Sequence, residues 1–257
     1  MIDSRAVVSP AAHLAANVVV GPFTVIGADV EIGEGTWIGP HVVIQGPTRI
    51  GKNNRVYQFA SLGEAPQDKK YGGESTCLEI GDRNTIREYC TINRGTAQDA
   101  GITRVGNDNW IMAYVHIAHD CQVGNRTVFA NGASLGGHVQ VSDDVVLGGF
   151  ALVYQFCRIG AHSLCGFACG VHKDVPPFVT VAGYRAKPHG INGEGLRRRG
   201  FDLEEIRAIR RAYKVLYRTH LKLEEATEQV KNLAVDFPQL QRLVDFLKAP
   251  SVRGIVR

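Results

Sequence analysis

One regularity constrains this chain more than any other. Stepping by six from Ile2 lands on Val8, Leu14, Val20, Ile26, Ile32, Ile38, Ile44, Ile50, Val56 and Leu62, all aliphatic. The register returns at Ile80, Ile86 and Ile92. It then runs from Val105 through Ile111, Ile117, Val123, Phe129, Leu135, Val141, Leu147, Val153, Ile159, Cys165 and Val171. A period of six fits neither a 3.6-residue helix nor simple strand alternation. It fits a coil of three short strands, each sending one side chain inward, with the backbone paired to the coils above and below. Glycine often follows the inward residue, as at Gly21, Gly27, Gly33, Gly39, Gly51, Gly106, Gly124 and Gly160. The pattern predicts that these glycines supply the corner conformation. Parallel crossovers in general favour a right-handed coil, and the periodicity itself does not choose a hand.

Two segments leave the repeat, 63–79 with Asp68, Lys69, Lys70 and Tyr71, and 93–104. Insertions in a solenoid project as loops on one side, often the binding side. The repeat stops near Val175-Pro176-Pro177, and from Phe201 the spacing turns helical. Ile206, Ile209, Tyr213 and Leu216 share a face after Asp202, an N-cap residue. Ala226, Val230 and Leu233 mark a second helix, and Leu240, Leu243, Val244 and Leu247 a third beyond Pro238. The expected architecture is mainly β: a parallel β-helix domain over 1–190, then a C-terminal α-helical domain over 191–257.

A net charge of +4 gives no reason to expect nucleic acid as a partner. Basic residues nevertheless crowd one late segment, Arg197 to Lys222, which suits an acidic partner. The six cysteines form no CxxC pair, so reduced thiols in a cytoplasmic setting are expected. No opening segment has the make-up of an export signal. No stretch is long and apolar enough for an integral membrane protein.

The densest polar chemistry lies at Val115-His116-Ile117-Ala118-His119-Asp120 and Leu135-Gly136-Gly137-His138. With Ile117 inward, its neighbours lie outward or at a corner. His119 and His138 are 19 positions apart, about one coil, so they stack on nearly the same side. A histidine beside a carboxylate is a ready general base. Gly137 lets a backbone N–H approach developing negative charge.

These residues carry a resemblance. His116-Ile117-Ala118-His119-Asp120, Gly136-Gly137-His138, Tyr57-Gln58-Phe59-Ala60-Ser61, Gln67-Asp68 with Lys70-Tyr71, Asn93-Arg94-Gly95-Thr96, Gln155-Phe156 and the run from Glu194 to Phe201 resemble the acyl-carrier-protein:UDP-N-acetylglucosamine O-acyltransferases of lipid A biosynthesis. The resemblance spans essentially the whole chain. It implies a left-handed parallel β-helix and a homotrimer with active sites between subunits. The partners it implies are acyl carrier protein, whose phosphopantetheine carries the acyl donor, and UDP-N-acetylglucosamine, with no permanently bound cofactor and no metal. By the same resemblance His119 is the general base, Asp120 its orienting carboxylate and the Gly137 N–H the oxyanion donor. Asp68, Lys70, His116 and His138 hold the sugar nucleotide or steady the site, and Gln155 lies near the diphosphate. Asn192, Glu194, Arg198 and Arg199 meet the nucleotide, and the basic helices meet acyl carrier protein.

The sequence departs from that family at four positions. Tyr154 and Asn93 stand where histidines are usual, and Cys77 where arginine is common. Phe167 stands at the end of the acyl groove, where long-chain members carry glycine, and predicts a donor of roughly ten to twelve carbons, given about 0.8 kcal/mol per buried methylene. The residues leave the acceptor open between a 3-hydroxyl and a 3-amine. Three rivals make distinct demands. A γ-type carbonic anhydrase would bind zinc across a subunit boundary through His116, His119 and His138. The N-acyltransferase of the same pathway has an additional domain before its repeats, and a structural or ice-binding solenoid would show threonine rows.

Overall fold

The computed structural model describes residues 1–257. Short strands stack coil upon coil into three sheets of nine, eight and ten strands, parallel throughout except for the last strand of the third. The first sheet includes Val25–Ile26 and His116–Ile117, the second His13–Leu14 and Gln122–Val123, the third Val19–Val20 and Val128–Phe129. The inward positions stay in register from coil to coil, Ile117 over Ile92 and under Leu135, with a bulge between Leu62 and Glu64 where the first insertion leaves. The coil is left-handed, the hand that the resemblance implied and the general crossover rule did not.

The six-residue ladder is the core. Ile38, Ile44, Leu62, Ile86, Ile92, Ile111 and Ile117 are fully buried. A second buried row, two residues before each inward position, was not apparent from the period. Where that row is polar it is bonded across coils: the Asn54 side chain accepts from the Asn84 N–H, that of Asn84 from the Asn109 N–H, and that of Asn109 from the Thr127 N–H. Each side-chain oxygen thereby satisfies a buried backbone donor. Cys90, Cys121 and Cys157 occupy the same row, and burial pushes their thiols up to about 12. All six cysteines are free.

The glycine reading is corrected. Glycines after the inward residue do not hold the left-handed conformation; that falls two residues later, on Phe23, Asp29, His41, Asn53 and their successors. The glycines are required by close approach. A Cβ on Gly21 would lie 2.7 Å from the Pro40 nitrogen, and one on Gly33 2.8 Å from the Gly51 carbonyl carbon. Coils stack too tightly there for a side chain.

The left-handed residues line up as three edges of a prism, each with its own chemistry. The edge between the first and second sheets carries Asp29, Asp120, His138 and Phe156, and both insertions emerge from it. The second edge is polar and charged, with Arg83 on Asp108 at 2.7 Å and Arg126 on Asp144 at 3.0 Å. The third is an aromatic stack in which Phe23, His41, Phe59, Tyr89 and Tyr114 follow one another at 4.8–5.3 Å.

Beyond the coils, Val179–Ala182 and Lys187–Ile191 form an antiparallel hairpin. Four helices follow: α1 (Gly193–Arg198), α2 (Leu203–Arg218), α3 (Leu223–Asp236) and α4 (Gln241–Lys248). Asp202 caps α2, as the sequence predicted, and its capping box with Glu205 adds a reciprocal bond. The hairpin and α1 were not anticipated, α1 because it is short and contains two glycines. No helix is long and apolar enough to cross a membrane.

His162 joins the coils to the helices. It is buried against Phe178 and Phe201, and its Nε2 lies 2.8 Å from an Arg242 nitrogen. A guanidinium only donates, so Nε2 accepts and the ring is neutral. Burial lowers the His162 pKa; Asp144 opposes this, while Arg242, Arg199 and Arg126 reinforce it. Burial and the charge of His119 lower that of His116 as well. Both groups refuse protons that the unfolded chain accepts below about pH 6.5. Stability is therefore expected to fall as pH drops from about 7.5 to about 5.5, a range where carboxylates barely titrate. Unfolding midpoints across that range should show the fall, and His162→Gln should lessen it, leaving the part due to His116.

Candidate active site

The first edge brings together His119, Asp120, Gly137 and His138. Ile117 anchors its strand in the core, and the chain then turns through Ala118, His119 and Asp120. His119 Nδ1 lies 2.8 Å from Asp120 Oδ2. An ionised carboxylate only accepts, so Nδ1 carries the hydrogen and Nε2 presents its lone pair. One coil above, His138 stands edge-on to His119 at 5.1 Å, with its Nε2 3.8 Å from Asp120 Oδ2. Gly137 lies against the His119 ring, where a Cβ would be 2.7 Å from Nε2. The Gly137 N–H donates to nothing within the chain.

Asp120 was expected to be outward or at a corner; it is at the corner but only 2 % exposed. Its burial is compensated. The Thr96 N–H and hydroxyl donate to its two oxygens at 2.9 and 2.7 Å, and its own N–H donates to Thr103 at 2.8 Å. Burial works to raise the Asp120 pKa, but the hydrogen bonds from His119 and Thr96 outweigh it, so the carboxylate stays ionised below its ordinary range.

Thr96 belongs to the Asn93–Thr96 motif but is not among the site residues that the resemblance implies. Register would have found it: Thr91 pairs with His116, so Thr96, five residues on, comes under the Asp120–Cys121 turn. Arg94 secures the other insertion, donating to Gly63 O at 2.8 Å and lying over the Tyr71 ring. Asn93 donates to Ala65 O at 2.7 Å.

The remaining predicted residues divide between places. His116 faces outward from the first sheet with Nδ1 2.7 Å from the Thr91 hydroxyl. Asp68 and Lys70 share a turn of the first insertion, where the Asp68 carboxylate accepts the Lys70 N–H. Gln155 is exposed one coil above His138, its carbonyl held by Arg253 from the chain's end at 3.0 Å. Asn192, Glu194, Arg198 and Arg199 gather elsewhere, around a cavity of about 260 Å³ beside the second edge that His162 and Asp144 also line. There Asn192 is buried, its amide caps α1 and donates to His162 O, Glu194 pairs with Arg197 and Arg198, and Arg199 pairs with Asp144 at 2.9 Å. Phe167 lies on the third edge, 74 % exposed, edge-on to Phe150.

The donor atoms of His119, Asp120 and His138 lie within 4.8 Å of one another, and His116 is not among them. Within one chain the groups that converge are two imidazoles and a carboxylate.

A left-handed coil of three six-residue repeats per turn, bearing a histidine–carboxylate pair, defines a hexapeptide-repeat transferase. The model described as "bacterial transferase hexapeptide (six repeats)" matches 29–64 and 102–137, and that of "Udp N-acetylglucosamine O-acyltransferase; Domain 2" matches 174–256. The acyl-[acyl-carrier-protein]–UDP-N-acetylglucosamine O-acyltransferase of Herminiimonas arsenicoxydans is 58 % identical, over 100 % of this chain and 99 % of its own. That of Alkalilimnicola ehrlichii is 57 % identical with the same coverage. The crystal structure of the Francisella novicida UDP-N-acetylglucosamine acyltransferase superposes with a TM-score of 0.98 at 46 % identity, covering 100 % of this chain and 94 % of that one. The chain belongs to the UDP-N-acetylglucosamine O-acyltransferase family.

Proposed function

We propose that this protein transfers a 3-hydroxyacyl chain from acyl carrier protein to the 3-position of UDP-N-acetylglucosamine, the opening step of lipid A biosynthesis, as a cytoplasmic homotrimer. The observation that carries the reading is the His119 ring, with Nδ1–H bound to a buried, ionised carboxylate and Nε2 beside the free Gly137 N–H. In the reaction, His119 Nε2 takes the proton of the sugar 3-hydroxyl while its oxygen attacks the thioester carbonyl. The carbonyl oxygen becomes an oxyanion that accepts from Gly137 N–H. Collapse expels the phosphopantetheine thiolate, which recovers the proton from the imidazolium. Asp120 holds the ring and stabilises its cation.

The three edges support a trimer with shared sites. One chain holds the dyad, His138, Gln155, Asp68 and Lys70 on its first edge, the Asn192–Arg199 group beside its second and Phe167 on its third. One substrate can engage all of these only where edges of different copies meet. On this reading Lys70, Asp68, His116 and His138 hold the sugar, and Gln155, Asn192, Glu194, Arg198 and Arg199 the nucleotide. Arg210, Lys214, Arg218 and Lys222, on and just beyond α2, receive acidic acyl carrier protein. The free cysteines suit a reducing compartment.

Phe167 limits the acyl chain. Its ring is exposed in the single chain and would fill space beside an adjoining copy. Phe167→Gly should move the preferred donor from roughly ten to twelve carbons toward fourteen, a change of about tenfold in relative kcat/KM at about 0.8 kcal/mol per methylene. Equal preference for fourteen carbons in both forms would remove this role.

The reading is tested by incubating the purified protein with 3-hydroxyacyl-acyl carrier proteins and either UDP-N-acetylglucosamine or its 3-amino analogue. Ester formation with stoichiometric release of holo-carrier is expected. Transfer only to the amine would change the acceptor, and transfer to neither would end the reading.

A further inference from the structure

The second insertion touches the site twice. Thr96 grips Asp120, and three residues later Asp99 Oδ2 lies 2.9 Å from His138 Nδ1. The loop is thus bound to the partner of one imidazole and to the ring of the other.

His138 is constrained on its remaining sides. Its face stacks on Phe156 at 4.5 Å and 9°. Phe156 belongs to the same corner as Gln155, and Arg253 closes that corner by lying over the Tyr154 and Phe156 rings. Stacking fixes the plane of an imidazole but does not distinguish its two flip states, which exchange nitrogen and carbon positions at the ring edge. Which nitrogen carries hydrogen is set by the bond that the other groups make. Here only Asp99 bonds a ring nitrogen directly, because Nε2 is 3.8 Å from Asp120, beyond hydrogen-bond reach.

We propose that Asp99 is a positioning residue that fixes the flip state and tautomer of His138. Its carboxylate requires hydrogen on Nδ1 and so turns Nε2 toward the His119–Asp120 dyad, free to accept from the acceptor substrate. This rests on the transferase reading, and it gives the second insertion a direct part in the chemistry. Asp99 does not touch the reacting atoms; it acts through His138.

The test uses the full-length protein with ¹⁵N-labelled histidine. In the wild type, His138 should show Nδ1 protonated and Nε2 unprotonated. Asp99→Ala should restore a substantial Nε2–H population, the form favoured in water, and lower kcat/KM about tenfold, the scale of one hydrogen bond to a charged group. Asp99→Asn, whose carbonyl still accepts from Nδ1–H, should retain the wild-type tautomer and most of the rate. Unfolding midpoints of all three should agree, because Asp99 is half exposed on a loop. Unchanged His138 resonances in Asp99→Ala would overturn the proposal, as would an Asp99→Asn rate as low as that of Asp99→Ala. A wild type inactive in transfer would count against the transferase reading, while the resonances would still decide the role of Asp99 at His138.

Discussion

His119→Ala should lower acyl transfer by about two to four orders of magnitude, the range that general base catalysis supplies. The loss should fall on kcat, since the sugar nucleotide is held mainly by groups other than this ring. The unfolding midpoint should hardly move. His119 lies outside the aliphatic ladder, and its bonded partner Asp120 keeps both Thr96 donors when the ring is removed. Asp120→Asn separates base from orientation. The Thr96 N–H, which donates to Asp120 Oδ1, would hold the substituted carbonyl oxygen. That leaves the N–H₂ at the Oδ2 position facing the ring and so puts hydrogen on Nε2, where a lone pair is required. Asp99 has no such second donor, and its amide can turn. Loss comparable to that of His119→Ala is expected there, with His119 observed in the other tautomer. His119→Ala retaining more than about a tenth of the wild-type rate would place the base elsewhere.

The fold was legible because its core obeys a one-dimensional rule. Each coil repeats the same inward positions, so Ile26, Ile44, Leu62 and Ile117 announce themselves by spacing alone. The hand was not legible, because either coil presents the same period. The role of the glycines was misread, since the sequence shows where a side chain is absent but not whether backbone torsion or a neighbouring coil excludes it. The left-handed torsions instead fall on Asp120 and His138, residue types that tolerate them, and on Phe59, which propensity would not place there. In the site, His119, Asp120, Gly137 and His138 were found because one coil separates them. Thr96 and Asp99 were not, because the loop that carries them lies outside the repeat, and only the pairing of Thr91 with His116 brings it beneath the dyad. Asn192 lies beyond the repeat, where the period says nothing, and the place of Phe167 at a groove end came from the resemblance rather than from spacing.

Gly137→Ala tests the geometry of the site more sharply than removal of any side chain. The backbone at Gly137 is not left-handed, so alanine is conformationally acceptable. Space is what is lacking. The new methyl would stand 2.6 Å from His119 Cε1, 2.7 Å from Nε2 and 3.2 Å from Nδ1. Either the ring leaves Asp120, ending the 2.8 Å bond that fixes its tautomer, or the turn shifts and carries the Gly137 N–H away from the oxyanion. Both routes lower the rate, by about two to three orders of magnitude where an oxyanion donor is displaced. Neither disturbs the ladder of buried aliphatics. Gly136, one residue earlier, provides the contrast: a Cβ there would meet the Gln155 backbone nitrogen at 2.8 Å, a contact between stacked coils. Gly136→Ala should therefore destabilise the fold, by about 1–3 kcal/mol for an overpacked site. Adjacent glycines should thus separate in a paired measurement, Gly137→Ala losing turnover with its unfolding midpoint kept and Gly136→Ala losing stability. A Gly137→Ala enzyme with near-normal kcat would mean that the His119 ring and the neighbouring N–H are not where the acyl group is transferred.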